Sequence, residues 1–224
     1  VLDEADRMLD MGFMPSIKQI IKLVPEQRQT LFFSATLPNE IRSLANTILT
    51  DPVNVSVTPE KPTTEKVDQR LYFVERDHKR ALLAHLLKED LEGSVLVFTR
   101  TKRGADRVVR DLEKVGMRVA SIHGDKSQTA RQRALQDFKN GRMRVLVATD
   151  IAARGIDISS LPYVVNYDVP ESPETYVHRI GRTGRAGNVG VALTLATPED
   201  RSQLRDIEKL IKMRIPAVRD HPFE

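Results

Sequence analysis

Cysteine and tryptophan are both absent from these 224 residues. Without cysteine there can be no disulfide, no thiolate metal centre and no cysteine nucleophile, which fits a reducing compartment, and a cytoplasmic location is expected. Aromatic residues make up only 5% of the chain, too few for extended stacking platforms. No apolar run approaches the roughly 20 residues that cross a bilayer, and nothing at the start resembles a signal peptide, so no membrane partner is expected. No glycine is followed by lysine, so the phosphate-cradling pattern Gly-x-x-x-x-Gly-Lys-Ser/Thr does not occur.

What is present is ordinary for a globular protein: 29% charged and 40% hydrophobic residues. The length allows one large domain or two small ones. A net charge of +4 leans mildly toward anionic partners. The lean is uneven, because residues 1–58 hold seven acids against five bases and the basic excess lies beyond them.

The chain opens on Val1-Leu2, read as the end of a buried strand, and runs into Asp3-Glu4-Ala5-Asp6. Carboxylates at the end of a strand sit where open α/β sheets bind ligands, and one could hold a hydrated Mg²⁺ while its neighbour orients a water. Three solvated acids are the plain alternative. Ile17, Ile20, Ile21 and Val24 recur at helical spacing, Thr30 to Phe33 reads as a compact buried strand, and Ser34-Ala35-Thr36 closes it with two hydroxyls suited to a carboxylate or to capping the next helix. Ile41, Leu44, Ala45 and Ile48 mark that helix, and Val53 to Val57 alternates like an edge strand. Residues 58–66, polar and with two prolines, read as a linker between a first domain at 1–57 and a second at 67–215, with a tail at 216–224.

Beyond the linker the pattern is strand, helix, strand. Leu71 to Val74, Val95 to Phe98, Arg118 to Ile122, Arg144 to Ala148, Tyr163 to Tyr167 and Gly190 to Leu195 are short, β-branched and continuously apolar, as strands buried on both faces should be. Helical segments lie between most of them: one bearing Leu82, Leu83, Leu86 and Leu87 with Asp77 as its cap, then Lys102–Val115, Ser127–Phe138 and Pro173–Ile180. A last helix from Thr197 carries Leu204, Ile207, Leu210 and Ile211 inward. The rhythm predicts an α/β fold with a parallel sheet covered on both sides. Polar residues gather after the strands: His123-Gly124-Asp125, Thr149-Asp150 and Ala153-Arg154-Gly155-Ile156-Asp157. Tyr176 to Gly187 adds four cations, His178, Arg179, Arg182 and Arg185, interleaved with glycines, an arrangement suited to phosphate oxygens. A solvated basic helix end is the alternative for those residues taken alone.

Taken in order, these motifs resemble those of the DEAD-box RNA helicases: Asp3 to Asp6, Ser34-Ala35-Thr36, Phe98-Thr99, Gln128-Thr-Ala-Arg131, Ala153 to Asp157, and His178 to Arg185. The resemblance covers essentially the whole chain, and the linking phrases are most similar to the bacterial RhlE-type subgroup. It implies two RecA-like domains with ATP and RNA bound across their cleft, the first represented here by its C-terminal remnant. Asp3 would hold Mg²⁺ through water and Glu4 would orient the attacking water. Asp6 would bond to Ser34, Thr36 and His178. Arg182 and Arg185 would act as arginine fingers, with Arg154 near the catalytic water and Asp157 and Gly155 at the nucleotide. Gly124, Gln128, Arg131 and Thr149 would hold the sugar-phosphate backbone of single-stranded RNA irrespective of sequence, in a protein that is monomeric when full length.

Lacking the phosphate loop, these 224 residues are expected to show no RNA-stimulated ATP hydrolysis by themselves, and residues 1–57 are expected to be unstable or self-associating. The competing readings are an RNA-binding or partner-docking module without catalysis, and a DNA helicase of the same superfamily.

Overall fold

The computed structural model describes residues 1–10, 12–35, 37–56, 67–153, 158, 160–184 and 190–223, apart from the side chains of Arg7 and Asp10. The segment read as a linker lies outside these residues, as does Val57. The chain divides into two compact units, Val1–Thr58 and Pro59–Glu224. Among the described residues no helix is long and apolar enough to cross a membrane.

The first unit is built from α1 (Ala5–Asp10), α2 (Met14–Leu23) and α3 (Asn39–Ile48). Its core gathers Ile17, Leu44 and Ile48, with Met8, Met14, Ile21 and Phe32 packed against them. Several sequence expectations are corrected here. Thr30 to Phe33 is not a buried strand: Leu2 and Phe32 form one isolated parallel bridge, and Phe33 is 52% exposed. Residues 53–56 form no strand, and Val53 and Val55 stand almost wholly in solvent. In α2 only Ile17 is buried, while Ile20 is 60% exposed. Among the described residues, three short helices and one bridge offer too few layers to cover every apolar face the pattern marks.

The second unit is a seven-stranded, all-parallel sheet in the order β3-β4-β2-β5-β6-β1-β7. Its strands are β1 (Val67–Phe73), β2 (Val95–Phe98), β3 (Val119–Ile122), β4 (Val145–Ala148), β5 (Tyr163–Asn166), β6 (Gly190–Ala196) and β7 (Ala217–Val218). The helices between them are α4 (Lys79–Glu89), α5 (Lys102–Lys114), α6 (Gln128–Lys139), α7 (Asp150–Ala153), α8 (Pro173–Ile180) and α9 (Arg201–Ile211).

Successive residues of a strand point to opposite faces, and the core divides accordingly. Val95, Val97, Val145, Val147 and Val165 pack with the leucines of α4 and with Val108 and Leu112 of α5. Leu96, Phe98, Leu146 and Ala148 pack on the other face with Phe138 of α6 and the alanines of α7. Tyr176, Ile180, Leu204 and Ile207 bring α8 and α9 to Leu71 and Ala192 on that face. Right-handed crossovers require this division. The chain steps one way across the sheet from β1 to β2 to β3, then the other way from β3 to β7, so the connecting helices change face. Each fully buried valine or leucine contributes about 1.5–3 kcal/mol relative to exposure, which makes the central strands the least dispensable part of the unit.

Four details differ from expectation. The stretch read as a tail contributes to the sheet unit: β7 extends the sheet beside β1, and Phe223 packs against the α4 cluster. The helix α4 starts after His78, not Asp77, with no side-chain cap. The last helix begins with a 3-10 turn at Pro198–Asp200, where the Thr197 N–H and hydroxyl both donate to Asp200 Oδ2 at 2.8 and 3.0 Å. Leu210 lies six residues past Leu204, about 120° around the helix from it, so it faces solvent while Leu204 and Ile207 stay buried.

Candidate functional site

In the first unit the acids are placed by backbone pairing. The Leu2 N–H donates to the Leu31 carbonyl and the Phe33 N–H donates to the Leu2 carbonyl, both at 2.8 Å, which sets Asp3 and Glu4 beside Ser34. Asp3 Oδ1 accepts the Glu4 N–H at 2.9 Å. Glu4 has φ 52, a left-handed conformation that costs a non-glycine residue about 1–2 kcal/mol. The Asp6 N–H donates to Ser34 Oγ at 3.1 Å, so these two predicted partners meet. Asp6 is buried, whereas Asp3 and Glu4 are open to solvent. Among the described residues no three His, Asp or Glu side chains gather as a metal cage. A single exposed carboxylate fits an ion that keeps most of its waters and takes phosphate oxygens as further ligands. Thr36 lies outside the described residues.

In the second unit the polar residues collect at the carboxyl ends of the strands, the edge that binds ligands in open α/β sheets. After β2, Thr99 is buried, its N–H bonded to the Ala148 carbonyl at 3.0 Å, and Thr101 caps α5 by accepting the Gly104 N–H at 3.0 Å. After β3, His123 is buried. Its Nδ1 accepts the Asp125 N–H at 3.3 Å, so the proton sits on Nε2 and is donated to Asp106 at 2.9 Å. Asp106 also receives Ser121 Oγ at 2.9 Å and Lys126 Nζ at 3.0 Å. Burial pushes the Asp106 carboxyl up, but the bonds from His123, Lys126 and Ser121 outweigh it and hold the group down at about 2.

Gly124 lies open beside the Lys102 arm, where an added Cβ would stand 3.4 Å from Lys102 Cε. Lys102 in turn pairs with Asp125 at 2.6 Å, which lowers the Asp125 carboxyl. Helix α6 follows at once, capped by Ser127 Oγ on the Ala130 N–H at 3.2 Å. Its first turn holds Gln128 and Arg131, linked through Arg131 Nη1 to Gln128 Oε1 at 3.3 Å. Arg131 Nε is buried with no partner among the described residues, a donor that costs free energy until it is satisfied. The Thr149 N–H reaches the Ile122 carbonyl at 3.3 Å, placing the end of β4 against the end of β3. Gly124, Gln128, Arg131 and Thr149 therefore share one rim.

The basic segment divides in two. Arg179, counted on sequence among four cations available to a polyanion, is 2% exposed. Its guanidinium forks onto Asp150, Nε to Oδ1 at 2.7 Å and Nη2 to Oδ2 at 2.8 Å. Nη1 donates to Asn166 Oδ1 at 3.2 Å and to the Asp168 carbonyl at 2.7 Å, and the group lies over the Phe98 ring at 5.1 Å. It ties α8 to the ends of β2, β4 and β5. The sequence did hold the signal, since Arg179 lies three residues after buried Tyr176 and beside buried Ile180, on the inward face of α8. Tyr176 adds a second anchor, its hydroxyl donating to Gln69 Oε1 of β1 at 2.8 Å.

His178 and Arg182 are half-buried, and Arg182 Nη1 approaches the Ile158 carbonyl at 3.5 Å. The turn they border is pinned by Thr183, whose hydroxyl reaches the carbonyls of Leu161 and Pro162. Gly190 permits this, since a Cβ there would fall 1.9 Å from Thr183 Oγ1. Arg154, Gly155, Asp157 and Arg185 lie outside the described residues.

Comparison with known proteins gives two family models that match successive stretches: DEAD/DEAH box helicase at residues 1–44 and Helicase conserved C-terminal domain at residues 78–187. The ATP-dependent RNA helicase CshA of Limosilactobacillus reuteri is 46% identical over 217 residues, 96% of this chain and 43% of that protein. The chain thus spans less than half the length of this curated relative. Among solved structures, Saccharomyces cerevisiae Dbp5 bound to RNA and ADP BeF3 is similar with a TM-score of 0.83 and 33% identity, over 97% of this chain and 58% of that one. The Escherichia coli DEAD-box protein SrmB bound to regulator of ribonuclease activity A has a TM-score of 0.65 and 38% identity, over 68% of this chain and 90% of that one.

Proposed function

Since the chain belongs to the DEAD-box ATP-dependent RNA helicase family, we propose that the protein containing it hydrolyses ATP in response to RNA and opens short RNA duplexes. The observation that carries this reading is the convergence of Gly124, Gln128, Arg131 and Thr149 on one strand-end rim, with a buried Arg131 donor still to be satisfied. Those groups suit a sugar-phosphate backbone: Arg131 and Gln128 offer donors to phosphate oxygens, and the bare Cα of Gly124 lets a strand approach the main chain. Few aromatics in the chain support backbone contact over base stacking, and hence indifference to sequence. Dbp5 bound to RNA and ADP BeF3 supports the same pair of ligands.

In the first unit Asp3 would hold a hydrated Mg²⁺, which when bound neutralises developing charge on the transferred phosphoryl group. Glu4, exposed beside it, would accept a proton from the attacking water and fix its direction. Asp6, Ser34, Thr36 and His178 would relay the state of that site to the second unit. Arg182 and Arg185 would meet the γ-phosphate, Arg154 the catalytic water, Asp157 the ribose, and Gly155 would lie at the nucleotide. Within the second unit the internal pairing of Arg179 supports this division of labour, because it commits that guanidinium to holding α8 against the strand ends.

The test is RNA-stimulated phosphate release by the full-length protein. Glu4→Gln should lower it by roughly 10²–10⁴-fold, the usual worth of a positioned base, while RNA binding persists. Equal release by wild type and Glu4→Gln would sink the catalytic reading and leave an RNA-binding module. Preference for single-stranded DNA over RNA in competition would point to a DNA helicase.

A further inference from the structure

Helix α5 carries a row of cations that no role above uses. Arg103, Arg107, Arg110 and Lys114 recur at helical spacing, opposite the buried Ala105, Val108 and Leu112. At 3.6 residues per turn they fall within about 60° of arc. All four are exposed.

The ordinary account of such a face is a solvated helix on which acids and bases alternate as i, i+4 pairs. Here the acids stand off the crest. Asp111, on one flank, is held by Arg80 of α4 at 2.7 Å and by Lys114 at 3.0 Å. Asp106, on the other, is held by His123 and Lys126. Arg103, Arg107 and Arg110 form no ion pair among the described residues. Two costs follow. Arg103 with Arg107, Arg107 with Arg110, and Arg110 with Lys114 are like-charged neighbours on one helix face. The first turn holds no acid and begins Lys102-Arg103, which sets two cations at the positive end of the helix dipole. A polyanion lying along the crest relieves both.

The choice of polyanion follows from what surrounds the row. None of the large apolar residues of α5 is exposed, so the crest offers no anchor for the apolar centre of a protein interface. Its start is continuous with the rim, since Lys102 opens α5 and lies beside Gly124. From Arg103 to Lys114 the crest runs about 16 Å at 1.5 Å per residue, which matches about five phosphates at the axial rise of one strand, about 3.4 Å.

We propose that the crest of α5 is a second, sequence-independent site for RNA backbone, holding the strand where it continues past the rim at Gly124 and Thr149. This rests on the RNA reading of that rim. The crest adds reach and salt-sensitive affinity without entering the nucleotide chemistry.

The experiment uses the full-length protein and labelled oligouridines of about 6 and about 20 nucleotides, one confined to a rim-sized site and one long enough to reach beyond it. Binding is read by fluorescence anisotropy between about 50 and about 200 mM salt. In the triple variant R103Q/R107Q/R110Q the longer RNA should bind about tenfold more weakly, and its log–log salt slope should fall by about 2, since each lost phosphate contact on a single strand is worth about 0.7. The shorter RNA should bind as to wild type, which also reports an intact fold, and R103K/R107K/R110K should restore the longer one. Unchanged affinity and slope for the longer RNA would overturn the proposal, as would equal weakening at both lengths or failure of the lysine triple to restore binding. Wild-type protein that binds neither RNA would instead overturn the RNA reading of the rim and the crest with it.

Discussion

Arg179 and Asp150 meet as a two-pronged ion pair, 2.7 and 2.8 Å long, with the arginine sealed inside the second unit and the carboxylate at its edge. The fork joins α8, bearing His178, to the residue that follows Thr149 on the strand-end rim. Planar guanidinium geometry matters here, because one side chain satisfies two carboxylate oxygens, an amide oxygen and a backbone carbonyl together.

Arg179→Ala should therefore destabilise the unit by about 3 kcal/mol, the scale for stripping one partner from a buried pair. For a chain of this size that lowers Tm by about 6–12 °C. Arg179→Lys should recover less than half of the loss, because an ammonium cannot make the fork. Calorimetric melts of the three proteins decide it, and full recovery by lysine would show that charge, not planar geometry, is what counts.

The depressed Asp106 carboxyl predicts a limb of acid instability. Its folded value of about 2 lies below the ordinary 3.8, so the unfolded chain takes up the proton first and acid favours unfolding. The contribution is fully present above about pH 4 and is lost as the pH falls toward 2. The side chain is 36% exposed, so solvent screening reduces it to about 1 kcal/mol. Urea melts from pH 6 to about pH 2 should show Asp106→Asn losing stability less steeply than wild type over that window; parallel curves would mean that the carboxyl gains nothing from His123 and Lys126.

Gly190 and Gly141 make a matched pair. Alanine at Gly190 would place a Cβ 1.9 Å from Thr183 Oγ1 and 2.2 Å from the Gly184 N, a clash with main chain that no rotamer change relieves. Gly190→Ala should cost about 3 kcal/mol or more. Gly141→Ala meets nothing within 4 Å and keeps only the strain of φ 72, about 1 kcal/mol. Equal denaturation midpoints for the two variants would contradict the close approach that pins the turn after α8.

Gly124 is a test of function more than of stability. Its Cβ would touch only the far end of the Lys102 side chain, at 3.4 and 3.5 Å, and no left-handed φ is involved. Gly124→Ala should leave thermal stability within about 0.5 kcal/mol of wild type while weakening RNA binding by the full-length protein about tenfold, as the methyl group bars the backbone from the rim. A loss of stability with RNA affinity intact would reverse the assignment.

Much of the second unit was legible in the sequence, because strands buried on both faces announce themselves as continuous apolar runs. Val95–Phe98 and Val145–Ala148 became adjacent central strands in parallel register. Short elements escaped notice: α7 has four residues and β7 two, below the length at which any periodicity can show. Helix α9 was found but its inward face was misjudged at Leu210, which stands six residues past Leu204 and so about 120° around the helix from it. In the first unit, helical spacing marked Ile20, an apolar run marked Phe33 as part of a buried strand and alternation marked Val53 as part of an edge strand, and no partner layer among the described residues covers them. The rim was legible as a set of residue types but not as a division of labour. Charge alone could not tell Arg179, turned inward onto Asp150, from the cations around it.

The order of strands also bears on how the protein is made. β1, the first strand of the second unit, lies between β6 and β7, the last two. A ribosome releases Phe73 well before Gly190, and at about 5–20 residues per second the wait is on the order of ten seconds. Through that interval the β1 segment has neither of its hydrogen-bonding neighbours, while β2, β4 and β3 can already pair. During synthesis the β2–β4 side therefore becomes available to assemble before β1 can be paired, and the β1 segment offers a nascent-chain chaperone the longest opportunity to bind.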